Sequence, residues 1–341
     1  MRKLFITLLL AAMCVFASAQ TNQMFWFNGQ LMFGAAIAQT DSVVFRDDAS
    51  ALDTLHLLLP RTATIVRHDT VYVHVHDTIH VNNCGNTDAE GPGVLSGVFS
   101  VGENTQVHFS QGNLQYQAST QTWRFAENQY DLIGSDNSNI SASYSGWIDL
   151  FGWGTGDNPT NASWEYADYQ TYVDWGTNAI SNGGNEANLW RTLTTDEWVY
   201  LFCTRTNAAS LFGLGSVNGI NGTIILPDNW VTSEDASFTA SATQGLAGLG
   251  GYFENYNGDN FSHNTYTEEQ WEVMEQRGAV FLPAAGIRGG TNVVNVGSSG
   301  SYWSSTPKGT EDAYDLSFNS DYLSSQINNG RYGGRSVRLV R

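Results

Sequence analysis

The sequence predicts an α+β protein with much irregular structure, and three observations lead to this fold class. The first is a hairpin pattern near the start, where two apolar runs in MFWFNGQLMF (24–33) flank Asn28-Gly29, a pair that favours a two-residue turn. The second is a helix that begins at Thr194. The third is the alternation of apolar and polar residues in the segments 313–323 and 336–341, which is typical of half-buried strands.

Residues 1–20 have the organisation of a secretory signal peptide. A basic start precedes an apolar run at 4–16, and Ala17-Ser18-Ala19 supplies the small residues that mark a cleavage site. We expect cleavage after Ala19. The apolar run is shorter than the roughly 20 residues that span a bilayer. The sequence therefore predicts a protein that is secreted or lies on the outer cell surface, without a membrane span.

The charge of the chain argues against nucleic-acid binding. The formal net charge is −18, and it becomes −20 when the signal peptide is removed, because that segment holds two basic residues and no acidic ones. A field of this sign repels phosphate backbones. Only 14% of the residues are charged, whereas 13% are aromatic. We expect an extracellular protein or glycan as the ligand.

Three regions follow the signal peptide at 1–19. Residues 20–60 contain the predicted hairpin and a further short strand, TDSVVF (40–45). Residues 61–93 form a His/Val-rich extended linker, in which histidines alternate with valine and isoleucine as in HVHDTIHV (74–81) and therefore share one side of an extended strand. Residues 94–341 are richer in aromatic and turn residues, and we predict that they form one domain.

The histidine-rich linker has a metal site as its alternative interpretation. His74 and His76 point the same way, and imidazole is a common zinc ligand. A single strand cannot enclose a tetrahedral site, however, and no cysteine or carboxylate lies at a spacing that would complete one. We expect a spacer and no metal. The cysteines of the mature chain are Cys84 in the linker and Cys203 in the domain, and we expect a buried thiol at Cys203 rather than a disulfide.

The helix predicted after Thr194 has the clearest local pattern in the chain. Thr194 and Glu197 have the spacing of a capping box, in which the hydroxyl accepts a hydrogen bond from one backbone N–H and the carboxylate accepts one from another. Trp198, Leu201 and Phe202 then lie on a common side of the helix. We expect this side to pack against the core.

The same segment, WRTLTTDEWVYL (190–201), resembles the RLPTEAEWEYA segment of formylglycine-generating-enzyme-like (FGE-like) proteins, a branch of the C-type-lectin-type folds. Three later segments, AVFLPAAGIRGG (279–290), GSSGSYWSST (297–306) and GRSVRLVR (334–341), extend the resemblance to bacterial secreted proteins of the Fibrobacter succinogenes major paralogous domain type. The resemblance covers residues 94–341. It implies a compact C-type-lectin-like domain that ends in a ligand-presenting sheet.

The sequence predicts no catalytic residues. The oxidase chemistry of the FGE-like relatives depends on cysteine thiols late in the domain, and this chain has no cysteine after Cys203. His108 alternates with apolar neighbours and is expected to be structural, while His263 lies in a polar loop. No motif marks a pair of glycosidase carboxylates. An uncharacterised hydrolase is kept as an alternative.

The final 45 residues, 297–341, are the predicted ligand-binding surface. A half-buried strand would hide Leu316 and Phe318 and display the polar residues between them, which are of the types that antibody loops use. The residues expected to hold the fold are Tyr302, Trp303, Leu316, Phe318, Val337 and Leu339. The predicted ligand contacts are Ser301, Asp315, Ser317, Asn319, Asp321, Asn329 and Tyr332.

Several interpretations of this surface stay open. The tail also resembles the variable region of target proteins of diversity-generating retroelements, whereas an ordinary surface sheet would carry polar residues for solubility alone. An adhesin-like binding protein is the main functional prediction, and a structural component of a cell surface or fimbria is the alternative. A second location for the ligand site is the aromatic run Trp147, Phe151, Trp153 and Trp164.

We predict no cofactor, with structural calcium as the alternative. Two loops cluster oxygen ligands, Asp136-Asn137-Ser138-Asn139 and Asn257-Gly258-Asp259-Asn260. Neither loop has the spacing of a closed calcium motif. Asn, Asp and Gly are also the usual residues of plain turns.

Overall fold

The computed structural model describes residues 91–240 and 261–341 with their side chains, together with the backbone of strands at 9–11, 21–27, 30–37, 42–43, 64–65 and 252–254. The chain divides into two compact units, Met1–Thr87 and Asp88–Arg341. The first unit contains the predicted hairpin region and most of the predicted linker, and the second contains the predicted domain.

The first unit contains two small sheets. Its strands are β1 (Leu9–Ala11), β2 (Thr21–Phe27), β3 (Gln30–Ile37), β4 (Ser42–Val43) and β5 (Thr64–Ile65). Strands β1, β2 and β3 pair antiparallel in that order, with Phe27 opposite Gln30, the register that the predicted hairpin requires. Strand β1 lies within the predicted signal peptide. The linker histidines and Cys84 lie outside the described residues.

The second unit has many short strands and few helices, so its class is α+β. Its strands are β6 (Phe99–Gly102), β7 (Thr105–Val107), β8 (Leu114–Gln117), β9 (Thr122–Phe125), β10 (Trp147–Ile148), β11 (Arg191–Thr192), β12 (Phe212–Val217), β13 (Ile220–Ile225), β14 (Tyr252–Glu254), β15 (Thr265–Tyr266), β16 (Val280–Pro283), β17 (Ile287–Gly289), β18 (Asn292–Val294), β19 (Ser299–Lys308), β20 (Asp312–Asn319), β21 (Tyr322–Gly330) and β22 (Leu339–Val340).

The helices of the second unit are short. They are α1 (Thr195–Val199), α2 (Glu268–Gln276), 3₁₀ turns at Gly134–Asn139, Tyr166–Tyr169, Trp175–Thr177 and Ala208–Ser210, and a π-helical turn at Tyr200–Thr204 that continues α1. Within the described part of the chain, no helix has the length and apolar character needed to cross a membrane.

Two four-stranded sheets make up much of the second unit. One has the order β15-β12-β13-β16, and the other, formed mainly by the C-terminal residues, has the order β14-β21-β20-β19. Strand β20 is interior to its sheet, because it pairs with β19 on one side and with β21 on the other. The last residues return to the start of the unit, where the Arg341 N–H donates to the His108 carbonyl at 3.0 Å.

Helix α1 begins as its sequence predicts. The Thr194 hydroxyl accepts from the Glu197 N–H at 3.2 Å, and the Glu197 carboxylate accepts from the Thr194 N–H at 2.8 Å, so the capping box is confirmed. Trp198, Leu201 and Phe202 are buried in one core cluster, which confirms their common side. Helix α2 has an equivalent box, formed by Thr267 and Gln270.

The residues predicted to hold the fold do so. Tyr302, Leu316 and Phe318 are buried in the cluster that also receives α1, and Trp303, Val337 and Leu339 are buried in a second cluster rich in tryptophan. Alternate residues along the C-terminal strands therefore supply two cores. This arrangement leaves both sides of β20 covered over much of its length.

Candidate functional site

The seven predicted ligand contacts do not form one surface. Strand β20 runs from Asp312 to Asn319, a distance of about 23 Å at the rise of an extended strand. Asn319 and Asp321 lie at the far end of this strand. Tyr332 lies near its beginning, because the Arg331 N–H donates to the Glu311 carbonyl at 2.9 Å.

Three of the predicted contacts are buried, so the prediction that they are displayed is wrong. Asp315 is 0% exposed, and Ser301 and Ser317 are also buried. The reason is that the side of β20 that carries Asp315 is not open to solvent. Trp303 is the strand partner of Asp315, and the guanidinium of Arg335 lies over the Trp303 ring at 4.5 Å.

The Asp315 carboxylate is the centre of a buried polar network. It forms an ion pair with Arg335 at 3.3 Å and accepts a hydrogen bond from the Asn329 side-chain amide at 2.9 Å. The Ser301 hydroxyl donates to it as well. Burial raises the pKa of Asp315, and the charge of Arg335 with the bonds from Asn329 and Ser301 acts in the opposite direction. Asp315, Ser301 and Asn329 thus hold Arg335 and the loop before it in place.

The polar residues at the far end of β20 form a turn. The Asn319 side-chain oxygen accepts from the backbone N–H groups of Asp321 at 2.7 Å and Tyr322 at 3.1 Å. Asn319 is half-buried and Asp321 is exposed. Asn319 therefore shapes the connection between β20 and β21, as asparagine commonly does in turns.

Tyr332 belongs to a group of three aromatic side chains at the surface, Trp164, Tyr166 and Tyr332, which we call the aromatic patch. The ring centroid of Tyr332 lies 5.0 Å from that of Trp164 and 5.2 Å from that of Tyr166. Trp164 is 57% exposed, and the two tyrosines are half-buried. The patch therefore presents aromatic surface to solvent at this end of the sheet.

The loop that carries Tyr332 is fixed by the neighbouring buried Arg331. Its guanidinium donates to the carbonyls of Asp312 at 3.1 Å, Tyr169 at 3.2 Å and Gly309 at 2.8 Å. The same group lies over the Trp153 ring at 4.3 Å. One side chain therefore joins the Tyr332 loop to the segment that follows Tyr166 and to the turn before β20.

A second connection holds Tyr166. The side-chain amide of Gln170 donates to the Tyr166 carbonyl at 2.7 Å and to the Thr310 carbonyl at 3.0 Å. The 3₁₀ turn Tyr166–Tyr169 is thus tied to the turn that precedes β20. The aromatic patch is thus assembled from two chain segments, which the side chains of Gln170 and Arg331 tie to each other and to the turn before β20.

Trp164 is held by its contact with two glycines. A Cβ atom built on Gly289 or Gly290 would lie 2.5 Å from the Trp164 ring, so a side chain at either position would force the ring to shift. Gly290 also has a φ of +58° in the turn between β17 and β18, a conformation that glycine adopts readily. The indole therefore rests directly on backbone.

Two carboxylates lie beside the patch. Glu311 is exposed and Asp312 is half-buried. Partial burial raises the pKa of the Tyr166 hydroxyl, and the Tyr332 hydroxyl, Glu311 and Asp312 raise it further. The patch is therefore a set of apolar rings with an acidic border.

The other members of the predicted aromatic run are less accessible. Phe151 and Trp153 are buried, and Trp147 is half-buried with the Arg124 guanidinium 3.9 Å from its ring centroid. Sequence reasoning named Trp164 only as part of this alternative. It missed Tyr166, although the single polar segment NASWEYADY (161–169) places both rings close together.

The second unit contains two histidines, His108 and His263, and one cysteine, Cys203. His108 contacts the Leu95 carbonyl through Nδ1 at 3.1 Å, in line with its expected structural function, and His263 is exposed in a turn. Cys203 is a half-buried free thiol whose pKa burial raises. Within the residues that the structure describes, no three His, Cys, Asp or Glu residues are grouped so that they could hold a metal.

The first of the two possible calcium loops has internal partners. The Asn137 side-chain amide donates to the Asp149 carboxylate at 2.7 Å, and its oxygen accepts from the Asp149 N–H at 2.9 Å. Asn137 is therefore a buried structural residue of a 3₁₀ turn. The second loop, 257–260, lies outside the described residues.

Comparison with known proteins gives one match. A family described as a domain of unknown function, DUF8237, matches residues 252–340, a segment that contains Glu311 and Tyr332 but neither Trp164 nor Tyr166. No curated protein matches the chain, and no solved structure does. Over this C-terminal segment the chain is similar to a family to which no function is assigned.

Proposed function

We propose that this chain is an exported, non-catalytic ligand-binding protein that recognises an extracellular protein or glycan through the aromatic patch. The observation that carries the proposal is Trp164, a tryptophan that is 57% exposed and yet rests on the backbone of Gly289 and Gly290. Tryptophan and tyrosine are enriched among the residues that dominate binding energies, because they combine large apolar area with a polar group.

The rigidity of the patch supports a binding function. Ordering flexible side chains on association costs about 0.5–1.5 kcal/mol per side chain. Here Arg331 and Gln170 fix the segments that carry Tyr332 and Tyr166. A ligand that docks on these rings would meet a surface that is already arranged.

The fold and compartment are part of the same proposal. The short strands and irregular connections of the second unit, with a final sheet next to the patch, are what a C-type-lectin-like domain of the Fibrobacter succinogenes major paralogous domain type would have. The pattern of residues 1–20 supports export and cleavage after Ala19.

The test is an array of glycans and extracellular proteins probed with the wild-type protein and its variants. We expect a ligand that is captured by the wild type and lost with Trp164→Ala or Tyr332→Ala. Trp147→Ala is the matched control, because it removes a surface tryptophan that lies under Arg124 instead of in the patch. Capture that survives both patch variants, or is lost equally with the control, would contradict the proposal.

A second pair of variants separates the patch from the far end of β20. Asn319→Ala and Asp321→Ala change predicted contacts about 23 Å away along the strand. We expect both to keep the captured ligand. Loss of capture with these variants, and not with the patch variants, would move the site to the turn between β20 and β21.

The burial of the predicted contacts limits which of them a diversity-generating retroelement could vary. Of the seven predicted contacts, Tyr332, Asn319, Asn329 and Asp321 have accessible surface, whereas Ser301, Asp315 and Ser317 are buried. Diversification of the ligand surface would therefore have to spare the codons for Ser301 and Asp315. DNA flanking the gene that contains neither a reverse transcriptase nor a near-copy of the final coding segment would rule the hypothesis out.

A further inference from the structure

Arginine repeatedly lies over tryptophan in this protein. Among the described residues the pairs, with the distance from guanidinium carbon to ring centroid, are Arg124–Trp147 at 3.9 Å, Arg331–Trp153 at 4.3 Å, Arg335–Trp303 at 4.5 Å and Arg341–Trp190 at 5.4 Å. In each pair the electron-rich ring attracts the cation. Four tryptophans of the described residues thus have a cation supplied by the chain itself.

The aromatic patch has no such internal cation. No arginine or lysine of the described residues lies over Trp164, Tyr166 or Tyr332. The neighbour of Tyr332 in the sequence, Arg331, directs its guanidinium to Trp153 and to backbone carbonyls. The rings of the patch therefore lack the arginine that covers Trp147, Trp153, Trp190 and Trp303.

The border of the patch has the opposite charge. The Glu311 carbonyl accepts from the Arg331 N–H at 2.9 Å, which places Glu311 beside the Tyr332 loop. Buried Arg331 interacts electrostatically with Asp312 and so offsets part of the charge of that carboxylate. No described residue forms an ion pair with Glu311, whose side chain is exposed.

Rings next to a free carboxylate favour a cationic ligand group. The ring quadrupole attracts an ammonium or guanidinium placed over its flat side, and a planar guanidinium can also stack on the ring and bond to a carboxylate. An anionic group would be repelled by Glu311 and by the net charge of −18. A neutral sugar would gain contact with the rings and nothing from the charge.

We propose that the partner is a protein with an exposed basic segment, and that an arginine or lysine side chain of this segment covers the aromatic patch with its charged end at Glu311. The proposal rests on the proposed function, because it specifies the ligand of the same surface. The acidic charge of the chain would also speed the encounter with a basic partner.

The experiment compares two peptides that differ in charge alone. One is a Gly/Ser peptide with three arginines, and the other has citrulline, the neutral isostere of arginine, at the same three positions. The readout is the NMR signal of the Trp164 indole N–H in the full chain, assigned by its absence in Trp164→Phe. We expect a saturable shift of this signal with the arginine peptide and about tenfold weaker binding of the citrulline peptide.

Two variants test whether the Glu311 carboxylate contributes to binding of the arginine peptide. Glu311→Gln should weaken binding of the arginine peptide by about fivefold, in the range of an exposed ion pair. Glu103→Gln is the matched control, because Glu103 is exposed in the turn between β6 and β7 and its loss changes the net charge equally. We expect the control to leave the affinity within about twofold.

Equal binding of the two peptides, or an arginine peptide that leaves the Trp164 signal unmoved, would overturn the inference. Equal effects of Glu311→Gln and Glu103→Gln would do the same, since attraction would then come from overall charge. If the array yields a neutral glycan whose capture depends on Trp164, the binding function stands and this inference fails. If nothing captured depends on Trp164, the proposed function itself fails.

Discussion

The loop at 331–335 joins two regions of opposite character. On one side, Arg335 is buried against Asp315 in a network of polar side chains. On the other, Tyr332 joins Trp164 in a group of aromatic rings at the surface. Charge is hidden and apolar rings are exposed, which is the reverse of the usual distribution. The difference indicates that the buried network fixes the loop and that the exposed rings are available to a partner.

The largest effect is expected from breaking the buried network. Asp315→Asn keeps the shape of the side chain and removes its charge, so Arg335 would lose its buried counter-charge. We expect the free energy of unfolding to fall by about 3–5 kcal/mol, as for other buried pairs that lose one partner. Urea denaturation of the wild type and the variant measures this directly.

The control for this variant is Asp321→Asn, the same substitution at an exposed position. We expect a change within about 0.5 kcal/mol. If Asp315→Asn were as mild as Asp321→Asn, Asp315 would be solvated as the strand pattern suggested, and the contrast between the two regions would disappear.

A second buried carboxylate sharpens the comparison, because neutral groups surround it. Asp149 accepts from the Ile133 N–H at 2.9 Å and from the Asn137 amide, and burial raises its pKa from 3.8 to about 6. The folded state therefore binds the Asp149 proton more tightly than the unfolded state does. The stability that this protonation contributes is fully present below pH 3.8 and is lost as the pH rises through 6. We expect the free energy of unfolding to fall by about 2 kcal/mol between pH 4 and pH 8 because of this carboxyl group.

The measurement is the pH dependence of the free energy of unfolding, with Asp149→Asn as the comparison. Other carboxylates contribute to both proteins, so the difference between the two curves isolates Asp149. We expect the wild type to lose stability relative to the variant mainly as the pH rises from about 4 to about 6. Parallel curves would show that Asp149 titrates in the same range folded and unfolded.

A smaller effect on stability and a large one on binding are expected from Gly289→Ala. The added Cβ would lie 2.5 Å from the Trp164 ring, and because the ring is at the surface it can move away at a cost of about 1 kcal/mol. We expect the captured ligand to be lost. In a Trp164→Ala background the same change should cost less free energy of unfolding than in the wild type, because the ring that the Cβ would meet is absent. An equal cost in both backgrounds would mean that Gly289 acts independently of Trp164.

Local features of the fold could be predicted from the sequence. The capping box of α1 depends on residues three apart, and the buried side of β20 depends on alternation within one strand, so Thr194, Glu197, Leu316 and Phe318 were placed correctly. Such patterns indicate which side of a helix or strand is apolar. They do not indicate which other part of the chain covers the polar side of a strand.

The site depended on contacts between distant parts of the chain. Asp315 is buried because Arg335 arrives on its side of the sheet, and the backbone of Arg335 is held by Phe151. Trp164 is exposed and fixed because Gly289-Gly290 passes beneath it. These contacts join residues that are far apart in the sequence, and no periodic pattern indicates them. For this reason the sequence predicts Ser301 and Asp315 as ligand contacts and gives no signal for Tyr166 and Glu311.

The most direct test of the account measures two properties of Trp164→Ala in parallel. We expect the free energy of unfolding to change by about 1 kcal/mol or less, because more than half of this side chain is already in solvent. Capture of the ligand should be lost. Capture at the wild-type level would contradict the account. So would a loss of several kcal/mol, since Trp164 would then be a structural residue rather than a binding one.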